Sequence, residues 1–151
     1  LQTAAIVVPG EALRHKMYRA INTDEVAEPN AFAVQAAEAA FSEGGPWLDA
    51  LRQYLLENRM YAKDFIEKNL PKLHLISAEA TYLLWVDCGK ITEDAGDLAR
   101  HLRKETGLYV SEGSQYGACG SRFLRINIAC QRSILADGLD RLQRGIASYR
   151  A

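Results

Sequence analysis

From residue 46 onward the sequence predicts an α+β domain whose strands form an antiparallel or mixed sheet with helices on one face. The first observation is hydrophobic periodicity, which gives the order helix, strand, strand, helix, strand, helix. The second is composition, since 48 % hydrophobic and 25 % charged residues are ordinary globular values. A chain of 151 residues therefore predicts one or two compact units.

The segment before this domain predicts a strand and two helices that lack sheet partners. Residues 4–8 form an apolar, β-branched run that Pro9 ends, so they predict a buried strand. An apolar stripe predicts the first helix, and residues 31–42 predict a second, alanine-rich helix that Asn30 caps. The stripe consists of Leu13, Met17 and Ile21. With a single strand, this segment cannot close a core by itself.

A long helix is predicted to join the two parts. Residues 46–69 contain almost no helix breaker after Pro46, so they predict one helix of about 22 residues and about 33 Å. Strands are predicted next at residues 72–76 and 81–88.

The remaining chain predicts two helices around one strand. Thr92 is the expected N-cap of a helix that ends at Gly107. Residues 123–130 predict the strand, and Ser133 is the expected N-cap of the last helix. The apolar face of that helix comprises Leu135, Leu139, Leu142, Ile146 and Tyr149.

Charge and cysteine content argue against several classes of protein. A formal net charge of −1 offers no basic excess for nucleic acid, and no apolar run approaches the roughly 18 residues of a membrane span. Three cysteines without a C-x-x-C pair, and three scattered histidines, predict no metal site. A reducing, cytoplasmic location is the simplest expectation.

Arg125 is the most informative candidate residue. Strand alternation places Leu124 and Ile126 on one face and Arg125 on the other, with Phe123 and Asn127. A partly buried guanidinium needs a partner, and its forked donors suit a carboxylate. That carboxylate could belong to a substrate. An internal salt bridge or an exposed strand face explains the same pattern, and the residues alone favour these structural interpretations.

Other candidates near this strand have structural explanations. The spacing of Gly113, Gly117 and Gly120 fits neither a dinucleotide fingerprint nor a P-loop, and indicates a loop that needs positive φ or close backbone approach. Cys119 has no histidine nearby in sequence to activate it. Asp87 could be an acid or base in a cleft, although such a residue more often caps a turn.

Four segments together resemble a known family. They are Pro29-Asn30 with the alanine-rich helix, residues 45–49 (GPWLD), residues 79–87 (EATYLLWVD) and residues 116–127 (YGACGSRFLRIN). In this order they resemble the C-terminal part of pyridoxal-phosphate enzymes of the class I/II aminotransferase superfamily. The chain is most similar to the MalY/PatB-type cystathionine β-lyase, or C–S lyase, branch.

The resemblance implies an α/β, three-layer parent fold. Residues 1–45 would be a remnant of the large cofactor-binding domain, and residues 46–151 a small α+β domain entered by the bridging helix 46–69. Arg125 matches the arginine that binds the substrate α-carboxylate in the family, and Asn127 would support that site. The intact parent would be a homodimer that acts on an amino-acid substrate.

Two departures from the family qualify this expectation. The lysine that forms the Schiff base with pyridoxal 5'-phosphate would precede Leu1, so the 151 residues are expected to contain no catalytic residue, to hold no cofactor covalently and to be inactive alone. Gln2, near the cofactor phosphate, occupies a position where many aminotransferases have arginine, which favours a C–S β-lyase acting by α,β-elimination. An aminotransferase is the alternative, and a non-catalytic α+β binding module is the alternative of another class.

Overall fold

The computed structural model describes residues 3–150, which contain five α-helices and four β-strands. The helices are α1 Glu11–Thr23, α2 Ala33–Glu43, α3 Gly45–Asn69, α4 Ala95–Thr106 and α5 Arg132–Ser148. The strands are β1 His74–Leu75, β2 Leu83–Asp87, β3 Ser111–Glu112 and β4 Phe123–Asn127. The chain divides into two compact units, Leu1–Ala50 and Leu51–Ala151, with the boundary inside α3.

The second unit contains a four-stranded sheet in the order β1-β2-β4-β3, and every pair is antiparallel. This confirms the predicted α+β arrangement of helices and antiparallel strands. β3 was not predicted, because its two residues, Ser111 and Glu112, are polar and show no apolar alternation.

One face of this sheet carries the core. Along β2 the buried residues Leu84 and Val86 alternate with half-buried neighbours, and Leu124 of β4 is buried on the same side. The helices contribute the other members of this cluster, among them Ala62, Ile66, Leu98, Leu102, Leu135, Leu139 and Leu142. The opposite sheet face is therefore the one left for a site.

The first unit, by contrast, has little core. Among its described residues only Ala33 is buried, at 1 % exposure. The buried strand predicted at residues 4–8 is wrong, since these residues are mostly exposed and belong to none of the described strands. A strand requires hydrogen bonds to a neighbouring strand, and residues 4–8 are not paired with β1, β2, β3 or β4. This also disagrees with a self-contained module in which that strand pairs within the chain.

Three predicted N-caps are wrong, and the predicted C-terminal glycine of α4 is confirmed. Phe32, rather than Asn30, precedes α2, and the Asn30 Oδ1 accepts the N–H of Phe32 ahead of the helix. The carboxylate of Asp94, rather than Thr92, accepts the N–H groups of Gly96 and Asp97 at the start of α4. Gln131 precedes α5, so Ser133 lies within the helix. Gly107 ends α4 with φ of 71°, the left-handed conformation that glycine adopts without strain.

A buried asparagine of α3 fixes the chain that leaves β4. The Nδ2 of Asn58 donates to the carbonyl oxygens of Ile128 and Cys130 at 2.9 and 3.0 Å. Its Oδ1 accepts from Nε of Arg132 at 2.7 Å. The Tyr54 hydroxyl accepts the backbone N–H of Arg132 at 2.9 Å. These bonds hold the end of β4 against α3.

Candidate functional site

The sheet face opposite the helices carries Arg125 and is called the Arg125 face below. In the antiparallel register Arg125 lies between Trp85 of β2 and Ser111 of β3, so all three side chains project from the same face. The face also includes Leu83, Asp87, Phe123 and Asn127. The interior strand β4 thus places the guanidinium at the centre of the sheet.

Arg125 is half-buried and contacts neutral groups. Its Nη2 lies 3.4 Å from Oγ of Ser111, and its Cζ lies 4.5 Å from the ring centroid of Tyr116. Among the described residues, no carboxylate lies within ion-pair distance of its guanidinium. The internal salt bridge that the sequence left open is therefore not formed within this part of the chain.

The Tyr116 ring that contacts Arg125 belongs to a series of three aromatic rings. Trp85 meets Tyr116 edge to face, with centroids 5.9 Å apart, and stacks on Phe123 with centroids 5.4 Å apart and an interplanar angle of 18°. Such pairs favour these geometries because the ring face is negative and the ring edge positive. The three rings form a series that ends at Arg125.

Tyr116 belongs to a loop that closes on itself. Short 3₁₀ turns at Gly113–Tyr116 and Ala118–Gly120 follow β3, and Gly117 between them has φ of 129°. A Cβ on Gly113 would meet the carbonyl oxygen of Gly120, and a Cβ on Gly120 would meet that of Gly113. The prediction of a loop needing positive φ and close backbone approach is confirmed.

Asn127 lies on the Arg125 face and is exposed. Its Oδ1 accepts the backbone N–H of Ala129 at 2.8 Å, so the amide stabilises the turn that follows β4. A supporting role beside Arg125 stays a prediction. Gln2, the residue predicted near the cofactor phosphate, lies outside the described residues.

Asp87 has the structural role that the sequence favoured. Its Oδ1 accepts the N–H of Gly89 at 2.8 Å, and its Oδ2 pairs with Nη2 of Arg122 at 2.9 Å. With both oxygens bonded in this way, the Asp87 carboxylate caps a turn at the end of β2, beside the series of aromatic rings.

The cysteines lie in three different environments. Cys119 is exposed, Cys130 is half-buried, and Cys88 is buried behind β2. Burial, together with the neighbouring charge of Asp87, raises the pKa of the Cys88 thiol to about 12. A thiol with so high a pKa is a poor nucleophile near neutral pH. Within residues 3–150 no three His, Cys, Asp or Glu side chains are grouped as a metal site would require.

The arrangement on the Arg125 face can bind a planar anion. A guanidinium stacked by its flat side keeps its N–H donors in the plane, where they match the two oxygens of a carboxylate. The sequence pointed to Arg125 but not to its neighbours Trp85, Ser111 and Tyr116. Their proximity to Arg125 depends on the strand register and on the fold of the loop that carries Tyr116. The glycine spacing was the one sequence signal for that loop.

Comparison with known proteins places this chain in a family. The chain belongs to the aminotransferase class I and II family, whose model matches residues 4–142.

No helix among the described residues combines the length and apolar character needed to cross a membrane.

Curated relatives and solved structures agree with that family. Cystathionine beta-lyase PatB of Bacillus subtilis is 35 % identical over 97 % of this chain, and Protein MalY of Escherichia coli is 35 % identical over 84 %. The chain spans 38 % and 33 % of these two proteins. A PLP-bound putative aminotransferase from Clostridium difficile is 33 % identical with a TM-score of 0.86, over 93 % of this chain and 36 % of that one. The PLP-bound C-S lyase from Staphylococcus hominis is 30 % identical with a TM-score of 0.80, over 94 % and 37 %.

The described residues fit the substrate end of a pyridoxal-phosphate site. Arg125 presents unpaired donors to an anion, which suits an amino-acid carboxylate. The geometry of the Arg125 face is therefore compatible with a carboxylate ligand.

Proposed function

We propose that this chain is part of a pyridoxal-phosphate-dependent C–S β-lyase and that it binds the α-carboxylate of the amino-acid substrate through Arg125. The observation that carries the proposal is a half-buried, stacked guanidinium without a described carboxylate partner. Relatives named cystathionine beta-lyase support the reaction class. The small-domain assignment of residues 46–151, with residues 1–45 in a cofactor domain, is part of this proposal.

The cofactor, when bound, supplies the electron sink for α,β-elimination of a sulfur-bearing amino acid such as cystathionine. The contribution of this chain is to bind and orient. Two coplanar N–H groups of Arg125 on the two carboxylate oxygens would fix the direction of the Cα substituents. Trp85 and Phe123 cover the neighbouring sheet surface with apolar rings, so the carboxylate would be bound beside a poorly hydrated wall.

The test is the Arg125→Ala substitution in the protein expressed from its complete gene and loaded with pyridoxal phosphate. Loss of charge-assisted hydrogen bonds, at about 1.5–3 kcal/mol, should lower kcat/KM for thiol release from cystathionine by roughly 10- to 150-fold. Arg103→Ala is the matched control, because Arg103 also lies over a tyrosine ring, that of Tyr109, but far from β4 in sequence. Equal kcat/KM in the wild type and Arg125→Ala would reject the carboxylate role.

Transamination is the second candidate, because the family model is named for aminotransferases and one structural relative is titled a putative aminotransferase. Thiol release without consumption of a 2-oxo acid supports the lyase. Stoichiometric conversion of an added 2-oxo acid to an amino acid supports the alternative. Arg125 would bind the carboxylate in either reaction.

The 151 residues by themselves are proposed to be inactive and to hold no cofactor covalently. The support is that the chain spans only 38 % of PatB and 33 % of MalY. When purified chain is mixed with pyridoxal phosphate and passed through gel filtration, the protein fraction should carry no cofactor absorbance. A stoichiometric visible band that co-elutes with the chain would contradict this.

A further inference from the structure

The guanidinium of Arg125 lies over the ring of Tyr116. Its Cζ lies 4.5 Å from the Tyr116 centroid, a cation–π distance, whereas the Ser111 hydroxyl is a long 3.4 Å from Nη2. Guanidinium groups favour stacking by their flat side on aromatic rings, and their five N–H donors lie in the guanidinium plane. The contact with Tyr116 therefore orients Arg125 without using the donors that a carboxylate needs.

The ring of Tyr116 is itself fixed from two directions. Trp85 contacts it edge to face, and Trp85 is fixed in turn by stacking on Phe123. From the backbone side, the mutual contact of Gly113 and Gly120 closes the loop that bears the ring. Tyr116 thus has a defined position although 52 % of its surface is exposed.

We propose that Tyr116 is a positioning residue of the carboxylate site, which holds the Arg125 guanidinium by its face so that its edge meets the carboxylate. The role rests on the proposed function, since it concerns how Arg125 binds that group. Through Tyr116, the loop 113–120 becomes part of the proposed binding site.

The first measurement follows the stack itself. In this chain labelled with ¹⁵N, the Arg125 Nε–H resonance is assigned by its loss in Arg125→Lys. A ring 4.5 Å from Cζ shifts that proton, so Tyr116→Leu should move the resonance and Tyr116→Phe should leave it nearly in place. An unchanged resonance in Tyr116→Leu would overturn the positioning role.

The second measurement is a titration of the same resonance with 3-(methylthio)propanoate, a carboxylate without the amino group that reacts with the cofactor. An exposed cation–π contact of about 0.5–1 kcal/mol predicts that Tyr116→Leu raises Kd about two- to fivefold, while Tyr116→Phe restores the wild-type value. Tyr109→Leu is the matched control, because Tyr109 is also exposed and also stacks with an arginine, Arg103. Its Kd should equal that of the wild type.

The two proposals fail in different ways. If the wild type binds the carboxylate better than the neutral 3-(methylthio)propanamide but Tyr116→Leu leaves Kd for the carboxylate unchanged, the proposed carboxylate site stands and the role of Tyr116 is overturned. If the carboxylate binds no better than the neutral 3-(methylthio)propanamide to the wild type, the proposed function fails. In that case the role of Tyr116 in carboxylate binding fails with it, even if the resonance shift shows that the stack exists.

Discussion

At the scale of single residues, the second unit contains two buried polar groups with different consequences. Asn58 is fully buried and uses both ends of its amide, so it stabilises the chain after β4. Cys88 is buried next to a carboxylate, so its charged form is disfavoured.

Replacing Asn58 by alanine should be strongly destabilising. The change leaves two carbonyl oxygens, of Ile128 and Cys130, and the Arg132 Nε without these partners. Unsatisfied buried groups of this kind cost roughly 2–4 kcal/mol of unfolding free energy in total. Urea denaturation measures the loss, and Gln53→Ala is the control, because the Gln53 amide bonds only to exposed Glu57 on the same helix. A loss below about 0.5 kcal/mol would contradict the assigned role of Asn58.

Stability should fall at alkaline pH because of Cys88. The pKa of its thiol is about 12 in the folded chain against 9.0 for the free group, so the unfolded state loses its proton first. The stabilisation is complete below pH 9.0 and is lost as pH rises from there towards 12. Because one proton is involved, the free energy of unfolding should fall by at most about 1.4 kcal/mol per pH unit.

Urea denaturation at pH 8 to 11 measures this slope. Cys88→Ala should show a shallower decline than the wild type, whereas Cys119→Ala, which removes an exposed thiol, should not. Parallel curves for the wild type and Cys88→Ala would show that the thiol does not contribute.

At the scale of elements, the loop 113–120 is held by backbone contact. Gly113→Ala places a Cβ against the carbonyl oxygen of Gly120 and 2.9 Å from that of Phe123, so the backbone must shift. We expect a loss of about 1–3 kcal/mol in unfolding free energy and a moved Arg125 Nε–H resonance. Gly138→Ala in α5 is the control, because the added Cβ would lie at an ordinary distance of 3.8 Å from the side chain of Leu108. That change should stabilise the helix by up to about 1 kcal/mol, and an equal result for both variants would contradict the loop contact.

The elements also show what sequence patterns can predict. The α3, α4 and α5 helices followed from periodicity over 12 to 25 residues, and β2 and β4 from apolar alternation. The cap of α4 was placed at Thr92, two residues early, because Thr92 and Asp94 are both good N-caps. Arg125 was identified from its strand, but Tyr116 was not, since it lies nine positions earlier in a loop and only the fold brings the two together.

At the scale of the whole molecule, the two units differ in how much core they contain. Residues 3–50 bury one alanine, whereas the second unit buries residues from three helices and two strands of its sheet. Backbone amides should therefore exchange with solvent faster in α1 and α2 than in α4 and α5. Hydrogen exchange followed by mass spectrometry measures this difference, with peptides from the exposed ends of α5 as the internal reference. Equal protection in α1 and α4 would contradict the expectation.

The series of rings beneath Arg125 has a thermodynamic consequence for any ligand of this face. A free arginine side chain loses about 2 kcal/mol of rotamer entropy when it is ordered. Here folding has already restricted the side chain, through contact with the Tyr116 ring at 4.5 Å. A carboxylate that arrives meets a guanidinium with little motion left to lose. Its binding should carry a small entropy penalty at the wild-type face and a larger one wherever the ring is absent.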